Sequence, residues 1–189
     1  MEKNRKLQII QAAVKRFTKH GINKTTLDEI ARDLRIGKAT IYHYFQSKEE
    51  LYYATIEFRS QEYLDEIRNI FSNEEKSFEE RFIEYFISKN SLGEKYQLIY
   101  ELVLLVLKDN NFEPELNALK ILLAKEKEIM KDVFTKINKT KYSDASLSEF
   151  FVMQSWGFMF GQKLNVLSNR EQNSDIREMI QKVLTNIIE

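Results

Sequence analysis

The stretch from Thr26 to Phe45 constrains the fold more tightly than any other part of the chain. Two short apolar-periodic segments, TLDEIARDL and KATIYHYF, flank the three-residue break Arg35-Ile36-Gly37. Thr26 and Glu29 have the spacing of a capping box, in which the hydroxyl accepts from the N3 amide while the carboxylate reaches back to the N-cap amide. Leu27, Ile30, Ala31 and Leu34 then share one side of a helix, and Ile36 and Ile41 continue the apolar surface beyond the break. Two short helices joined by so tight a turn predict a helix-turn-helix.

The remainder reads as helix throughout. Leu7, Ile10, Val14 and Phe17 recur at helical spacing before His20-Gly21, so a first helix runs from about Asn4 to a glycine C-cap. Ser47 with Glu50 opens a long fourth helix reaching Phe71, and Ser77 with Glu80 opens a fifth. Further helices are predicted from Leu92 to Lys108, from Pro114 to Ile137, from Ser146 to Leu167 and from Ser174 onward. Five Gly and one Pro are too few for a turn-rich β protein. The expectation is an all-α chain of about nine helices: a three-helix DNA-binding domain, residues 1–46, packed on a larger helical ligand-binding and dimerisation domain, residues 47–189.

Net charge is zero, which alone argues against a nucleic-acid partner, but the charge is unevenly spread. Through Lys48 there are eleven basic residues against four acidic ones, a surplus of +7; the other 141 residues carry −7. A basic module on an acidic body points to nucleic acid at the N-terminal end. With no Cys and only His20 and His43, neither a disulfide framework nor a thiolate or histidine metal cluster can form, so no metal or cofactor is expected. The lack of Cys fits a cytoplasmic protein. The apolar runs at Leu102 to Leu107 and Phe150 to Phe160 fall short of the roughly 20 residues that span a bilayer.

Setting Ile41 inward fixes the rest of the third helix at about 100° per residue. Ala39 and His43 point away from the core, flanked by Thr40 and Tyr42, with Lys38 and Tyr44 at the side. That face is small and polar enough for a major groove. Lys38 and His43 can donate to guanine acceptors, and the methyl of Ala39 or Thr40 can touch a thymine methyl. The hydroxyls of Thr26 and Tyr42 and the charge of Lys48 suit phosphate oxygens, which position a protein without specifying sequence. Each also has a structural alternative: Thr26 as a cap, Tyr42 and Tyr44 as packing, Lys48 as a solvated charge.

Taken together, the segment GINKTTLDEIARDLRIGKATIYHYFQSKEELYYATI resembles the DNA-binding region of the TetR family of bacterial transcriptional regulators, over about Leu7 to Ile56. The residues carrying the resemblance are Gly21, Thr26, the Ile30-Ala31 pair, Tyr42, Phe45 and Lys48-Glu49-Glu50-Leu51. It implies a double-stranded operator as partner and a helical body that dimerises and senses a ligand. Two positions depart from the pattern: Arg35 stands where the family usually has a turn glycine, and Gly37 where it usually has a small hydroxyl residue.

Within the body, the last two helices are the expected homodimer interface. Ile176, Met179, Ile180, Val183, Leu184 and Ile187 form a stripe at i, i+3, i+4, i+7 and i+8. Phe150, Met153, Trp156, Phe160 and Leu164 leave the preceding helix apolar around most of its circumference, and Gly157 and Gly161 allow close helix approach. A two-fold dimer calls for a pseudo-palindromic operator. Sixteen of the 23 aromatic residues lie beyond Ser60 and can line a pocket for a small-molecule effector, though ring by ring they read first as core, and no ligand-binding residue is assigned. Glu101 falls on a stripe with Glu94, Gln97 and Lys108 and reads as solvent-facing rather than as a buried counter-ion. No Gly-rich phosphate loop, HExxH, GxSxG or supported carboxylate pair is present, so catalysis is not expected. A regulator governed by a protein partner, a constitutive one, and a helical protein-binding adaptor remain open alternatives.

Overall fold

Capping signals and apolar stripes place the helices of the computed structural model, which describes residues 2–109, 113–137, 140–166 and 174–187. Ten α-helices occur among them: α1 (Glu2–His20), α2 (Leu27–Asp33), α3 (Lys38–Tyr44), α4 (Lys48–Ser72), α5 (Phe78–Ser88), α6 (Leu92–Lys95), α7 (Gln97–Lys108), α8 (Glu113–Ile137), α9 (Asp144–Val166) and α10 (Ser174–Ile187). A 3₁₀ turn, Lys89–Ser91, joins α5 to α6. No β-strand forms among the described residues, and none of their helices is long and apolar enough to cross a membrane.

The expected helix over 92–108 is broken. Tyr96 leaves helical geometry at φ −125° and ψ 47°. Its ring is buried, 4.7 Å from the Arg59 guanidinium, and its hydroxyl donates to the Glu62 carbonyl at 3.4 Å. Burying one large ring outweighs continuing one turn. The inward line of α1 runs through Ile9, Ala13 and Phe17, leaving Ile10 and Val14 half-buried and Leu7 exposed.

Two compact units divide the chain. Unit 1 comprises Met1–Glu62 and Tyr96–Ala118; unit 2 comprises Tyr63–Lys95 and Leu119–Glu189. The division falls inside α4 and α8, whereas the sequence suggested a functional boundary between residues 46 and 47. In unit 1, α1 packs on α2 and α7, and α2 on α3. Arg16 bridges α1 to α2, its Nε 2.6 Å from Asp33 Oδ2 and its other arm 2.8 Å from Oδ1, the bidentate geometry that suits guanidinium and carboxylate. In unit 2, Phe82 is the centre of a ring cluster, with centroids 4.9 Å from Phe151, 5.0 Å from Phe71 and 5.6 Å from Phe134. The carbonyl of Ile187 accepts from the Lys141 amide at 3.0 Å, and Lys141 Nζ donates to the Asn186 carbonyl at 3.1 Å, which satisfies free acceptors at the end of α10.

Candidate nucleic-acid interface

Thr26 builds the start of α2 as its capping box predicts. Its Oγ1 accepts from the Glu29 amide at 3.3 Å, and Glu29 Oε2 accepts from the Thr26 amide and hydroxyl, both at 2.9 Å. Those bonds hold the Glu29 carboxyl below its ordinary pKa. The helix ends in a Schellman motif: the Arg35 amide donates to the Arg32 carbonyl (3.1 Å) and the Ile36 amide to that of Ala31 (3.0 Å). Such a turn needs a left-handed residue, and Arg35 supplies it at φ 52°. Gly37 then caps α3 with φ −69° and no side-chain bond.

Burial of Ile30, Ala31 and Ile41 turns the opposite face of α3 outward. Lys38, Ala39, Tyr42 and His43 are exposed, Thr40 and Tyr44 half-buried, all within the seven residues of α3. Two of the basic groups are engaged inside the unit. Lys38 Nζ lies 3.0 Å from Asp28 Oδ2, which raises the pKa of the lysine, and 5.7 Å from the Tyr42 ring centroid. Lys48 Nζ donates to the Ile22 carbonyl at 2.9 Å. It therefore ties the start of α4 to the loop after α1. His43 meets Tyr44 edge-on, with centroids 4.9 Å apart. The eight residues singled out from the sequence thus share one short stretch, with Thr26 and Lys48 in structural bonds at its ends.

A family model described as bacterial regulatory proteins, tetR family, matches residues 9–55. Residues 9–55 belong to the TetR family. Over 52 residues the chain is 46% identical to the uncharacterized HTH-type transcriptional regulator YhgD of Bacillus subtilis, 28% of this chain and 27% of that protein. Over 96 residues it is 31% identical to IcaR of Staphylococcus aureus, a biofilm operon icaADBC HTH-type negative transcriptional regulator, covering 51% of this chain and 44% of the relative. The chain thus spans less than half the length of these relatives. A crystal structure of a transcriptional regulator from Cytophaga hutchinsonii is similar along nearly the whole length, with a TM-score of 0.66, 26% identity and coverage of 96% and 97% of the two chains. Within the TetR-family segment, the departures at Arg35 and Gly37 leave the motif intact, since both positions keep the backbone geometry that the turn requires.

Beyond the TetR-family segment, unit 2 holds a polar cluster that the sequence reading missed. Lys89, on the 3₁₀ turn, and Glu126, on α8, are fully enclosed and joined Nζ to Oε1. Glu126 Oε1 also accepts from the Tyr85 hydroxyl at 2.6 Å and the Tyr63 hydroxyl at 3.2 Å, and its Oε2 accepts from Trp156 Nε1 at 3.0 Å. Burial pushes the Lys89 ammonium below its usual pKa, opposed by Glu126, and pushes both tyrosines well above theirs. One signal was available: Glu126 interrupts the inward stripe Leu122, Ile129, Met130, Phe134. Glu101, by contrast, is exposed and bonded to Gln97 at 2.7 Å, as expected. A separate cavity of about 420 Å³ in unit 2 is lined by residues that include Phe71, Phe78, Ile129, Arg68, Arg81 and Lys136.

The expected dimer residues separate into two sets. Trp156, Ile180, Leu184 and Ile187 are buried within a single chain: Trp156 is turned inward by its bond to Glu126, and the stripe of α10 packs on α5. Phe150, Met153, Gly157 and Met179 are exposed, and Phe160, Gly161 and Val183 half-buried. A Cβ at Gly157 or Gly161 would meet no other element within 4 Å among the described residues. The side chains of Leu164 and Ile176 lie outside the described residues.

Proposed function

We propose that this chain is a DNA-binding transcriptional regulator, acting as a repressor, whose α3 reads the major groove of a double-stranded, pseudo-palindromic operator. What carries this reading is the outward face of α3 on a TetR-family segment: Lys38, Ala39, Thr40, Tyr42 and His43 lie together over a helix only seven residues long. The +7 surplus up to Lys48 supplies the sequence-independent attraction to phosphate. Residues 1–46 serve DNA binding, while 47–189 serve dimerisation and the sensing of a small-molecule effector. The chain works in the cytoplasm and has no catalytic role. Its homodimer uses the α9–α10 face presented by Phe150, Met153, Gly157, Met179 and Val183. The name of the Staphylococcus aureus relative, a negative regulator, supports repression.

Site selection from random duplexes tests the reading. A half-site repeated with two-fold symmetry and salt-dependent affinity are expected. Lys38→Ala or His43→Ala should relax preference at single positions at about 1–3 kcal/mol each, while Lys48→Ala should weaken binding to all sequences and lower the salt slope by about 1. Recovery of no preferred sequence would leave the protein-binding adaptor as the better account, and a preference unchanged in both α3 variants would remove α3 as the reading element.

A further inference from the structure

The buried charge of unit 2 is arranged like a receptor for a cation. Around Lys89 Nζ stand the rings of Trp156, Tyr85 and Tyr63, with centroids at 4.5, 4.8 and 5.0 Å, and the carboxylate of Glu126 completes the enclosure. Ring faces and one carboxylate recognise an ammonium through quadrupole and charge together, most strongly where water is excluded. Stability alone does not account for such an arrangement, since a buried ion pair roughly breaks even against an apolar filling of the same volume. The four receptor groups come from regular helices, α4, α5, α8 and α9. The cation comes from the 3₁₀ turn Lys89–Ser91, whose hydrogen-bond geometry is poorer than that of an α-helix. The next residue, Asn90, carries a buried Oδ1 with no hydrogen-bond partner, the one such side-chain atom among the described residues. The ligand-like group therefore sits on a 3₁₀ turn and its receptor on regular helices. The cavity beside Phe71 and Phe78 is a weaker candidate, because Arg68 is paired with Asp65 and Arg81 with the Phe71 carbonyl.

We infer that the box formed by Tyr63, Tyr85, Trp156 and Glu126 is a binding site for an organic monocation of the alkylammonium class, with Lys89 as the internal occupant that such a ligand displaces. The inference rests on unit 2 being the effector-sensing part of the regulator proposed above. Displacement moves the lysine out of the box and, with it, the turn between α5 and α6.

Trp156 is the only tryptophan in the chain, so its fluorescence reports the box directly. n-Butylammonium, which reproduces the end of a lysine side chain, is titrated into the intact protein against n-butanol and against sodium chloride of equal ionic strength. A saturable change with the ammonium alone is expected in the wild type. Lys89→Ala, which removes the competitor, should saturate at a concentration lower by about tenfold or more, and Glu126→Gln should abolish the response. The inference is overturned if the wild type shows no saturable, cation-selective change, even where Lys89→Ala binds; the pair is then structural only. Equal responses to butanol and butylammonium overturn it too. The wild-type arm needs no substitution, so a variant that fails to fold leaves the decision intact. Duplex binding without amine is measured in parallel. Its failure would strike the regulator reading and not the box, whereas a silent Trp156 with intact duplex binding would strike the box alone.

Discussion

Arg35 holds a left-handed backbone, φ 52°, where a Cβ crowds the following carbonyl at a cost of about 1–2 kcal/mol. Glycine would relieve that strain but add about 0.5–1 kcal/mol of unfolded-state entropy. Arg35→Gly should therefore leave the melting temperature unchanged or slightly raised; a clear drop would mean that the arginine side chain stabilises the turn. Lys89 and Glu126 answer to a different balance. Glu126 without Lys89 keeps three donors, from Tyr85, Trp156 and Tyr63, whereas Lys89 without the carboxylate keeps the Tyr63 hydroxyl and ring faces. Denaturant unfolding should accordingly show Glu126→Gln as the costlier change, about 3–5 kcal/mol, and Lys89→Met as the milder. Their coupling in the double variant should fall at about 0.5–3 kcal/mol. A smaller loss for Glu126→Gln than for Lys89→Met would reverse the assignment. The pH dependence follows in sign. Burial lowers the folded-state pKa of Lys89 below 10.5, so the unfolded chain binds more protons and this group's contribution to stability rises with pH between the two values. The buried tyrosines act oppositely, losing stability as pH rises beyond 10. Comparing the wild type with Lys89→Met isolates the lysine's share.

At the scale of elements, the helix-turn-helix was legible because its determinants are local. Thr26 and Glu29 stand three residues apart, Ile30 and Ile41 mark the inward faces, and the turn is three residues long. The break at Tyr96 was not, because its cause is a ring contact with Arg59, 37 positions earlier. The pairing of Lys89 with Glu126 was hidden for the same reason, although the interrupted stripe of α8 marked one partner. Likewise the outward faces of α9 and α10 could be separated from their core faces only once the partners inside the chain were known. The same locality gives a prediction for α2 and α3. Asp28 holds Lys38 by an ion pair with both side chains about half exposed, a contact of small value in water. Beside a phosphate-rich duplex the carboxylate repels while the lysine attracts. Asp28→Asn should thus raise affinity for any duplex about two- to fivefold and steepen its salt dependence. Affinity that stays the same across salt concentrations would show that the pair does not face DNA.

For the whole molecule, the proposed dimer would set two recognition helices on successive turns of one duplex, about 34–36 Å apart, so that an operator would read the dimer and not the monomer. Gly157 offers a test in which the two levels of organisation respond with opposite sign. It lies on the exposed side of α9, and a Cβ there would meet no other element within 4 Å among the described residues. Replacing a mid-helix glycine gains helix propensity, up to about 1 kcal/mol, where no clash opposes it. Gly157→Phe should therefore leave the isolated chain as stable as before or more so. At a two-fold interface the same ring is inserted twice, into the gap that the glycines leave for close helix approach, and there it must separate the helices. Sedimentation at micromolar concentration should show monomer for the variant and dimer for the wild type, with operator affinity falling steeply while binding to a single half-site changes little. Linkage adds a second arm: any effector that lowers operator affinity by some factor in the wild-type dimer must itself bind more weakly, by the same factor, once operator is saturating. A Gly157→Phe protein that stays dimeric and keeps full operator affinity would remove the α9–α10 face from the interface.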